Sequence, residues 1–232
     1  MNRSLTRYED LVYSPLALPR PPRVDRTRLI EWMTWARQEG LKRGLNRAER
    51  NFEARTGRQY PWLTANVYYA DPGPVEASFE AAFPQIARYA RRFPVDELGG
   101  IVLLAQRGHA EVHLHTDSDG AWGFRFYLAE GDHEGLYFCM TRQRTSTLPR
   151  AIDDWSELLD VTRRHYARWQ YGNRPFCLNC VRAAHAVDAN DCRLGERIAC
   201  LVLPKQGVNE ARLLSLLERS TARFGDAQIW YQ

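Results

Sequence analysis

The sequence predicts an α+β protein, mainly β, in which a helical N-terminal flank precedes a sandwich or barrel of antiparallel strands. Two observations predict this class. Helical spacing and prolines dominate residues 1–98, whereas short segments rich in β-branched and aromatic residues follow one another from Gly99 onward. No repeat or clear linker divides the 232 residues. We therefore expect a single domain over 1–232, with the flank at 1–98 and a strand-rich core at 99–232.

The flank is predicted to begin with an extended leader. Residues 14–24 contain four prolines, which exclude a helix there. Helical spacing of apolar residues then covers 25–55, with two glycines, the first at Gly40, as expected interruptions. A second helical segment covers 75–93, and Pro84 is expected to open or kink it.

The core is predicted to combine strands with two helices. One helix is expected near 152–171, and an amphipathic one over 209–224. The dipeptide Asp119-Gly120 is a hairpin signal, and it predicts that the strand after it lies beside the strand before it. The predicted strands are 101–105, 111–117, 122–129, 136–141, 181–187, 198–203 and 228–231.

Composition excludes several classes of protein. Hydrophobic residues make up 44% and charged residues 26% of the chain, as in globular proteins. No apolar run approaches the roughly 18 residues that span a bilayer, and the N-terminus lacks the apolar core of a signal peptide, so we expect a cytoplasmic protein. The net charge of +4 is too small to indicate a nucleic-acid-binding protein. The basic and aromatic segment 163–169 is better explained as a helix with one apolar face.

The most informative segment is the predicted strand at 111–117. Alternate residues of a strand share a face, so His113, His115 and Asp117 project the same way. Side chains that can bind metal are unusual on the core face of an ordinary strand. The spacing of His115 and Asp117 lets both bind one metal ion, and a facial triad for non-haem Fe(II) then needs one more histidine.

A second histidine and two arginines are candidates to complete this site. His185 lies among small apolar residues of a later predicted strand and is the best distal ligand, because the other histidines lie in turns or among charges. Arg197 begins a strand twelve residues further on, and Arg125 shares a strand face with Tyr127. A buried arginine binds a carboxylate through two charge-assisted hydrogen bonds. This pattern predicts an anionic co-substrate beside the metal.

The order of these segments resembles the 2-oxoglutarate-dependent Fe(II) oxygenases. The resemblance covers about residues 99–203 and depends on 108–117, 123–128, 185–190 and 196–202. Within this family the chain is most similar to the aspartyl/asparaginyl β-hydroxylase-like branch, which includes free-proline hydroxylases. The resemblance implies a double-stranded β-helix, also called a jelly-roll or cupin-like barrel, with iron in its mouth.

The resemblance also implies a role for each candidate residue. His115, Asp117 and His185 would bind Fe(II) and form the catalytic centre. Arg197 would bind the distal carboxylate of 2-oxoglutarate, and Arg125 would lie near its other carboxylate. The family reaction consumes 2-oxoglutarate and O2, releases succinate and CO2, and oxidises a C–H bond of the substrate.

Further expectations concern the pocket and the substrate. Tyr127 occupies a position at which this branch often has histidine, and we expect it near the co-substrate. Retention of Asp117 favours hydroxylation, desaturation or cyclisation over halogenation, because related halogenases leave that position open for a halide. The substrate is predicted only as a class: an amino acid, a peptide or a natural-product intermediate. His113, Trp122 and Tyr69 are candidates to line its pocket.

Two other classes of protein fit parts of the sequence. Cys177 and Cys180 form a Cys-x-x-Cys pair, and with Cys192 and Cys200 they could hold a structural zinc ion in a binding protein. However, Cys200 lies in an apolar segment, where cysteine is a common small core residue. A cupin-like barrel could also bind metal without oxidising anything, and formation of succinate from 2-oxoglutarate separates that protein from an oxygenase.

Overall fold

The structure, a computed structural model, describes most of the chain and gives the backbone alone for residue 106 and for 112–115, 137–141, 166–170 and 185–187. The described residues are 5–43, 50, 54, 57, 62–70, 72–106, 112–115, 122–128, 137–141, 166–170, 174–179, 185–187 and 197–230. The helices are α1 (Arg26–Lys42), α2 (Pro74–Ala82), α3 (Pro84–Ala90) and α4 (Glu210–Phe224). The strands are β1 (Leu11–Pro15), β2 (Trp62–Tyr68), β3 (Leu98–Gln106), β4 (Val112–His115), β5 (Trp122–Tyr127), β6 (Tyr137–Thr141), β7 (Tyr166–Gln170), β8 (Phe176–Asn179), β9 (His185–Val187), β10 (Arg197–Pro204) and β11 (Ile229–Trp230).

Eight consecutive strands, β3 to β10, pair in a nested order. β3 pairs with β10, β4 with β9, β5 with β8, and β6 with β7, all antiparallel. This is the pairing of a long hairpin wound into a double-stranded β-helix, so the predicted jelly-roll fold is confirmed. β10 also pairs with β5, and three further strands extend this sheet to seven in the order β11-β1-β8-β5-β10-β3-β2. β6 lies close to β9, so the ladders β4-β9 and β6-β7 are neighbours.

The helices cover one face of the seven-stranded sheet. α1 and α2 pack against β2, α3 against β3, and α4 against β1. In the core between them, the ring of Phe93 lies 5.7 Å from the rings of both Phe124 and Phe126, measured between centroids. Burying one such side chain contributes about 1.5–3 kcal/mol. The strand residues in this core are Leu11, Leu63, Ala65, Val67, Leu98, Ile101, Leu103, Ala105, Phe124, Phe126, Cys177, Ile198, Cys200 and Val202.

The helix starts follow local chemistry. Asp25 caps α1, where its side chain accepts a hydrogen bond from the backbone N–H of Arg28 at 3.0 Å. Asn209 caps α4 in the same way and accepts from the backbone N–H of Arg212 at 2.8 Å. Pro84 is the first residue of α3 and separates it from α2, so the predicted break is confirmed. The helix over 209–224 is also confirmed, whereas Gly40 does not interrupt α1. Within the described residues, no helix is both long and apolar enough to cross a membrane.

The hairpin predicted at Asp119-Gly120 is wrong as a strand pairing. In the described ladders β4 pairs with β9, while β5 lies between β8 and β10 in the larger sheet. Successive strands of a jelly roll can belong to different sheets, so a tight turn can connect two sheets as well as two paired strands. The Asp-Gly signal predicts a turn and does not distinguish these cases. Asp119 and Gly120 themselves lie outside the described residues.

The helix predicted near 152–171 is wrong at its C-terminal end. Tyr166–Gln170 form β7, which pairs with β6 from Tyr166 opposite Thr141 to Gln170 opposite Tyr137. The rest of that predicted helix lies outside the described residues. Tyr166 and Trp169 are aromatic and lie three positions apart, a spacing typical of a helix, although aromatic residues are also common in strands. The pairing with β6 decides between the two. The helical interpretation of 163–169 is wrong over 166–169 for the same reason, and residues 163–165 lie outside the described part of the chain.

β1, β2 and β8 are strands that the sequence analysis does not predict. β1 occupies the start of the proline-rich leader, and no helix follows it before α1, as expected for residues 14–24. β2 lies in the flank and forms one edge of the larger sheet. The flank at 1–98 therefore supplies two strands as well as helices. Where β3 begins, a Cβ on Gly99 would lie 2.8 Å from the backbone of Lys205, which explains the glycine.

Candidate active site

The sheet face that lies away from the helices, here the helix-distal face, differs in chemistry from the core face. Strand alternation assigns its members, because register partners in an antiparallel pair lie on the same face. Thr64, for example, is opposite Leu104, which is opposite Ala199, which is opposite Tyr127. The residues that define the helix-distal face are Trp62, Thr64, Asn66, Val102, Leu104, Arg125, Tyr127, Arg197, Ala199 and Leu201.

The centre of the helix-distal face is partly open. Its apolar residues on the central strands β3 and β10 are only half-buried, although central strands are usually the most enclosed part of a sheet. Their neighbours on the core face, such as Leu103 and Cys200, are fully buried. The centre of this face is therefore less enclosed than the core face. The half-buried floor residues are Val102, Leu104, Ala199 and Leu201.

Arg197 lies at the edge of this floor. It is the first residue of β10, is 5% exposed and pairs with Gln106 of β3. Its neighbour Ile198 faces the apolar core on the other side of the sheet. A guanidinium that leaves water needs acceptors or an anion to replace the lost solvation. The structure thus places the predicted carboxylate-binding arginine, buried, on the partly open face.

Arg125 and Tyr127 lie on the same face, as predicted from alternation. Phe124 and Phe126 point into the core, while Arg125 is opposite Leu201 and Tyr127 is opposite Ala199. Tyr127 is 6% exposed and packs on the ring of Phe176. A register row is a set of residues that lie opposite one another across neighbouring strands and share a face. Counted in such rows along the strands, Tyr127 lies one row from Arg197, and Arg125 lies two rows from it. Four residues of strand correspond to about 14 Å between the two backbone positions, a distance that two long arginine side chains with a small dicarboxylate between them can span.

β2 contributes polar residues that the sequence analysis does not identify. Thr64 and Asn66 are 8% and 9% exposed, and Trp62 is 8% exposed. The indole Nε1 of Trp62 and the Oγ1 of Thr64 are buried, with no hydrogen-bond partner among the residues that the structure describes. The sequence contains a pattern that could have identified these three residues. In 62–67 they alternate with Leu63, Ala65 and Val67, which lie in the core. Once the segment is known to be a strand, that period of two assigns the faces.

The two predicted histidine ligands are register partners. β4 and β9 pair antiparallel, with His115 opposite His185 and Val112 opposite Val187. The chain thus brings together two residues that are far apart in the sequence. Asp117, the third predicted ligand, lies outside the described residues, and the side chains of His113, His115 and His185 do too. No group of three potential metal ligands occurs among the side chains that the structure describes.

Two of the three residues expected to line the substrate pocket lie on the helical side. Trp122 precedes Phe124 on the same strand face and packs against the core. Tyr69 also packs there, with the guanidinium of Arg91 5.4 Å from its ring centroid. Burial and the neighbouring Glu80 raise the pKa of the Tyr69 phenol above its ordinary value. Neither residue is brought together with Arg197.

The cysteines that the structure describes belong to the packing of the sheet. Cys177 and Cys200 are fully buried members of the helix-facing core. This position agrees with the interpretation of Cys200 as a small core residue. Cys180 and Cys192, the other predicted zinc ligands, lie outside the described residues. A structural zinc site at Cys177 and Cys180 stays a prediction.

Comparisons with known proteins show likeness to solved structures alone. No protein-family model matches the chain, and no curated protein matches it. The chain is similar to the non-heme α-ketoglutarate-dependent carbocyclase SnoK from nogalamycin biosynthesis, with 13% identity over 87% of this chain and 83% of that one, and a TM-score of 0.44.

Two further solved structures are similar at comparable levels. HygX from Streptomyces hygroscopicus, with nickel and 2-oxoglutarate bound, is 13% identical over 88% of this chain and 87% of its own, with a TM-score of 0.39. EctD from S. alaskensis, with 2-oxoglutarate and 5-hydroxyectoine, is 15% identical over 87% of this chain and 77% of its own, with a TM-score of 0.42. These likenesses are weak, and the jelly-roll assignment rests on the chain's own strand order.

Proposed function

We propose that this protein is a non-haem Fe(II), 2-oxoglutarate-dependent dioxygenase that hydroxylates or otherwise oxidises a C–H bond of a small substrate. The observation that supports it most directly is the register pairing of His115 with His185. A buried arginine on the partly open face of the larger sheet supports the anionic co-substrate. Together these features match the chemistry that the sequence motif predicts.

The paired histidines fit a metal ion. Residues directly opposite in an antiparallel ladder have Cβ atoms about 4.5–5.5 Å apart, which is close enough for one ion to bind both imidazoles. Asp117 follows His115 by two residues, so strand alternation would present its carboxylate on the same side. Two histidines and one carboxylate form the facial set that leaves positions open for a co-substrate and O2.

The helix-distal face fits a small dicarboxylate. Arg197 would bind the distal carboxylate through two charge-assisted hydrogen bonds, and Arg125 would lie toward the other end of the ligand. Tyr127, between their register rows, would limit how far the ligand can shift along the strands. Arg197 and Tyr127 are buried, and exclusion of water around a bound ligand would strengthen each of these interactions.

The bound metal and co-substrate would supply the oxidation: 2-oxoglutarate gives succinate and CO2, and one oxygen atom of O2 goes to the substrate. The task of the chain is to hold the ligand in one orientation and to place one substrate C–H bond beside the open metal position. We propose an amino acid, a peptide or a natural-product intermediate as substrate, with His113 near it. Membership of the aspartyl/asparaginyl β-hydroxylase-like branch is part of this proposal.

Anaerobic addition of Fe(II) and 2-oxoglutarate tests the proposed function. We expect a weak visible charge-transfer band in the wild type, abolished in His115→Ala and in His185→Ala. Arg197→Ala should keep metal binding but weaken 2-oxoglutarate binding about 100-fold, as expected for a charged pair of hydrogen bonds. His133→Ala is a matched control, since the sequence places His133 in a polar turn.

The aerobic reaction provides the second measurement. Succinate should form from 2-oxoglutarate in the wild type and not in His115→Ala. Absence of both the band and succinate in the wild type would contradict the proposal. A band without succinate, in the presence of a broad panel of amino acids and peptides, would instead favour a cupin-like protein that binds metal and does not oxidise.

A further inference from the structure

Two hydrogen-bond donors on β2 are buried without partners in the part of the chain that the structure describes. Trp62 and Thr64 are each 8% exposed, and among the described residues neither the indole Nε1 nor the hydroxyl Oγ1 has a hydrogen-bond partner. Buried polar groups are paired in the great majority of cases, because leaving one unpaired costs free energy. Two such groups at alternate positions of one strand therefore indicate a missing ligand.

The register places both donors on the same face as Arg197. Trp62 is opposite Gln106, which is opposite Arg197, so Trp62 and Arg197 lie in one row with a single strand between them. Neighbouring strands lie about 4.8 Å apart, which gives about 10 Å between the two backbones. Thr64 lies in the next row, which also contains Tyr127. Long side chains from β2 and β10 can thus reach one ligand group above β3.

The three groups share one chemistry. An indole N–H and a guanidinium only donate hydrogen bonds, and a threonine hydroxyl can donate. Such a set binds an acceptor and repels an ammonium group or a metal ion. A carboxylate has about four lone-pair positions. Arg197 would fill two of them, and the donors of Trp62 and Thr64 match the two that are left.

We propose that Trp62 and Thr64 complete, with Arg197, the site for the distal carboxylate of 2-oxoglutarate. This inference rests on the proposed function, because it takes the ligand of Arg197 to be the co-substrate. The flank therefore supplies part of the co-substrate site through its edge strand, in addition to stabilising the barrel. Trp62 and Thr64 act as positioning residues that fix the length of 2-oxo acid the enzyme accepts.

Binding of two 2-oxo acids to the full-length protein tests this assignment. Calorimetric titration with Mn(II) present and O2 absent measures the dissociation constants of 2-oxoglutarate and of 2-oxopentanoate, which has a methyl group in place of the distal carboxylate. We expect Thr64→Val and Trp62→Phe each to weaken 2-oxoglutarate binding about tenfold, as for the loss of one hydrogen bond to a charged group. Binding of 2-oxopentanoate should stay unchanged.

Thermal unfolding of the ligand-free variants separates this role from a structural one. Removing an unpaired buried hydroxyl should leave the melting temperature of Thr64→Val equal to or above that of the wild type. A hydroxyl with a structural role would lower it. Thr34→Val and Trp35→Phe, both at exposed positions of α1, are the matched controls and should change neither affinity.

The outcomes distinguish this inference from the proposed function. If the wild type does not bind 2-oxoglutarate, the proposed function itself fails, and this inference fails with it. If the wild type binds it and Arg197→Ala does not, but Thr64→Val and Trp62→Phe bind as the wild type does, only the assignment of the β2 donors is overturned. An equal loss of affinity for both 2-oxo acids also overturns it, because the effect would not depend on the distal carboxylate.

Discussion

The two faces of the seven-stranded sheet are built from the same strands but have opposite chemistry. On the helix-facing side, the strand residues are apolar and fully buried, as in Phe126 and Ile101. On the helix-distal side, arginine, threonine, asparagine and tyrosine lie beside half-buried aliphatic residues. The helices cover the first face, whereas the centre of the second face is less enclosed.

This difference indicates that alternate residues of a single strand have different roles. In β10, Ile198 and Cys200 stabilise the core, while Arg197 lies on the other face. A polar group gains nothing in stability from burial unless it is paired, so selection for stability alone would make both faces apolar. The polar residues of the helix-distal face are therefore the ones to test for function, and the core residues the ones to test for stability.

Phe126→Ala should disrupt the helix-facing core and give the largest effect on stability. Phe126 is fully buried, and its ring contacts those of Tyr89 and Phe93, with centroids 4.9 and 5.7 Å away. Truncation leaves a cavity and should lower the free energy of unfolding by about 3–5 kcal/mol. Denaturant unfolding followed by circular dichroism measures this. A loss below 1 kcal/mol would mean that this core layer can collapse around the change.

Glu76→Gln should give the next largest effect, since Glu76 is the buried carboxylate that joins α2 to β2. It is 2% exposed and accepts hydrogen bonds from the backbone N–H groups of Tyr68 and Gly73, at 2.8 and 2.5 Å. The guanidinium of Arg43 lies 3.4 Å from it. An amide has one acceptor oxygen, so one N–H would lose its partner, at a cost of about 1–3 kcal/mol.

Glu76→Gln also tests the difference between the two faces of the sheet, because a polar residue on the helical side should affect stability alone. We expect 2-oxoglutarate affinity in Glu76→Gln to equal that of the wild type below the unfolding transition. Glu80→Gln is the matched control, since that carboxylate is more exposed and pairs with Arg91 at the surface; exposed pairs contribute about 0–1 kcal/mol. Equal stability losses in the two variants would contradict the role given to Glu76.

Arg197→Lys tests the helix-distal side with the charge retained. Lysine lacks the planar fork that makes two parallel hydrogen bonds to a carboxylate. We expect 2-oxoglutarate to bind about tenfold more weakly, equivalent to about 1.4 kcal/mol, with a smaller loss of stability than in Phe126→Ala. Titration calorimetry with Mn(II) measures the affinity. Unchanged affinity would show that a point charge is sufficient and that the paired geometry is not used.

The faces of β5 are predictable from the sequence because they depend on alternation within one strand, and His185 is predictable as a ligand because of its small apolar neighbours. Arg125 and Tyr127 lie together on the helix-distal face as predicted, and the predicted ligands His115 and His185 are opposite each other in the ladder. Such inferences use local periodicity, which a sequence displays directly. The roles of these residues stay proposals.

The missed features depend on contacts between distant segments. The sequence of β2 contains the right alternation, but nothing local shows that this segment pairs with β3 as an edge strand. The Asp-Gly signal in the sequence does not reveal that β4 and β5 belong to different sheets. Likewise, Tyr166–Gln170 become a strand because β6 pairs with them. Tertiary pairing overrides local preference in each case.

Tyr89→Phe should have the smallest effect on the free energy of unfolding, and the size of this effect should depend on pH. The Tyr89 hydroxyl donates a hydrogen bond to the carbonyl of Pro19 at 2.6 Å, and its loss should cost about 1 kcal/mol at pH 7. Burial raises the pKa of Tyr89 above its ordinary value of 10.0. The unfolded chain therefore releases this proton first, and the stability from Tyr89 is present below about pH 10 and lost as the pH rises above it.

Chemical denaturation between pH 7 and pH 11.5 measures this effect. The free energy of unfolding of the wild type should fall above pH 10, with contributions from Tyr89 and Tyr69, whose pKa is raised too. In Tyr89→Phe the fall should be shallower, so that the variant approaches the wild type at the highest pH. Parallel curves for the two proteins would show that the Tyr89 phenol ionises as readily in the folded protein as in the unfolded chain, and that the helical layer does not exclude water from it.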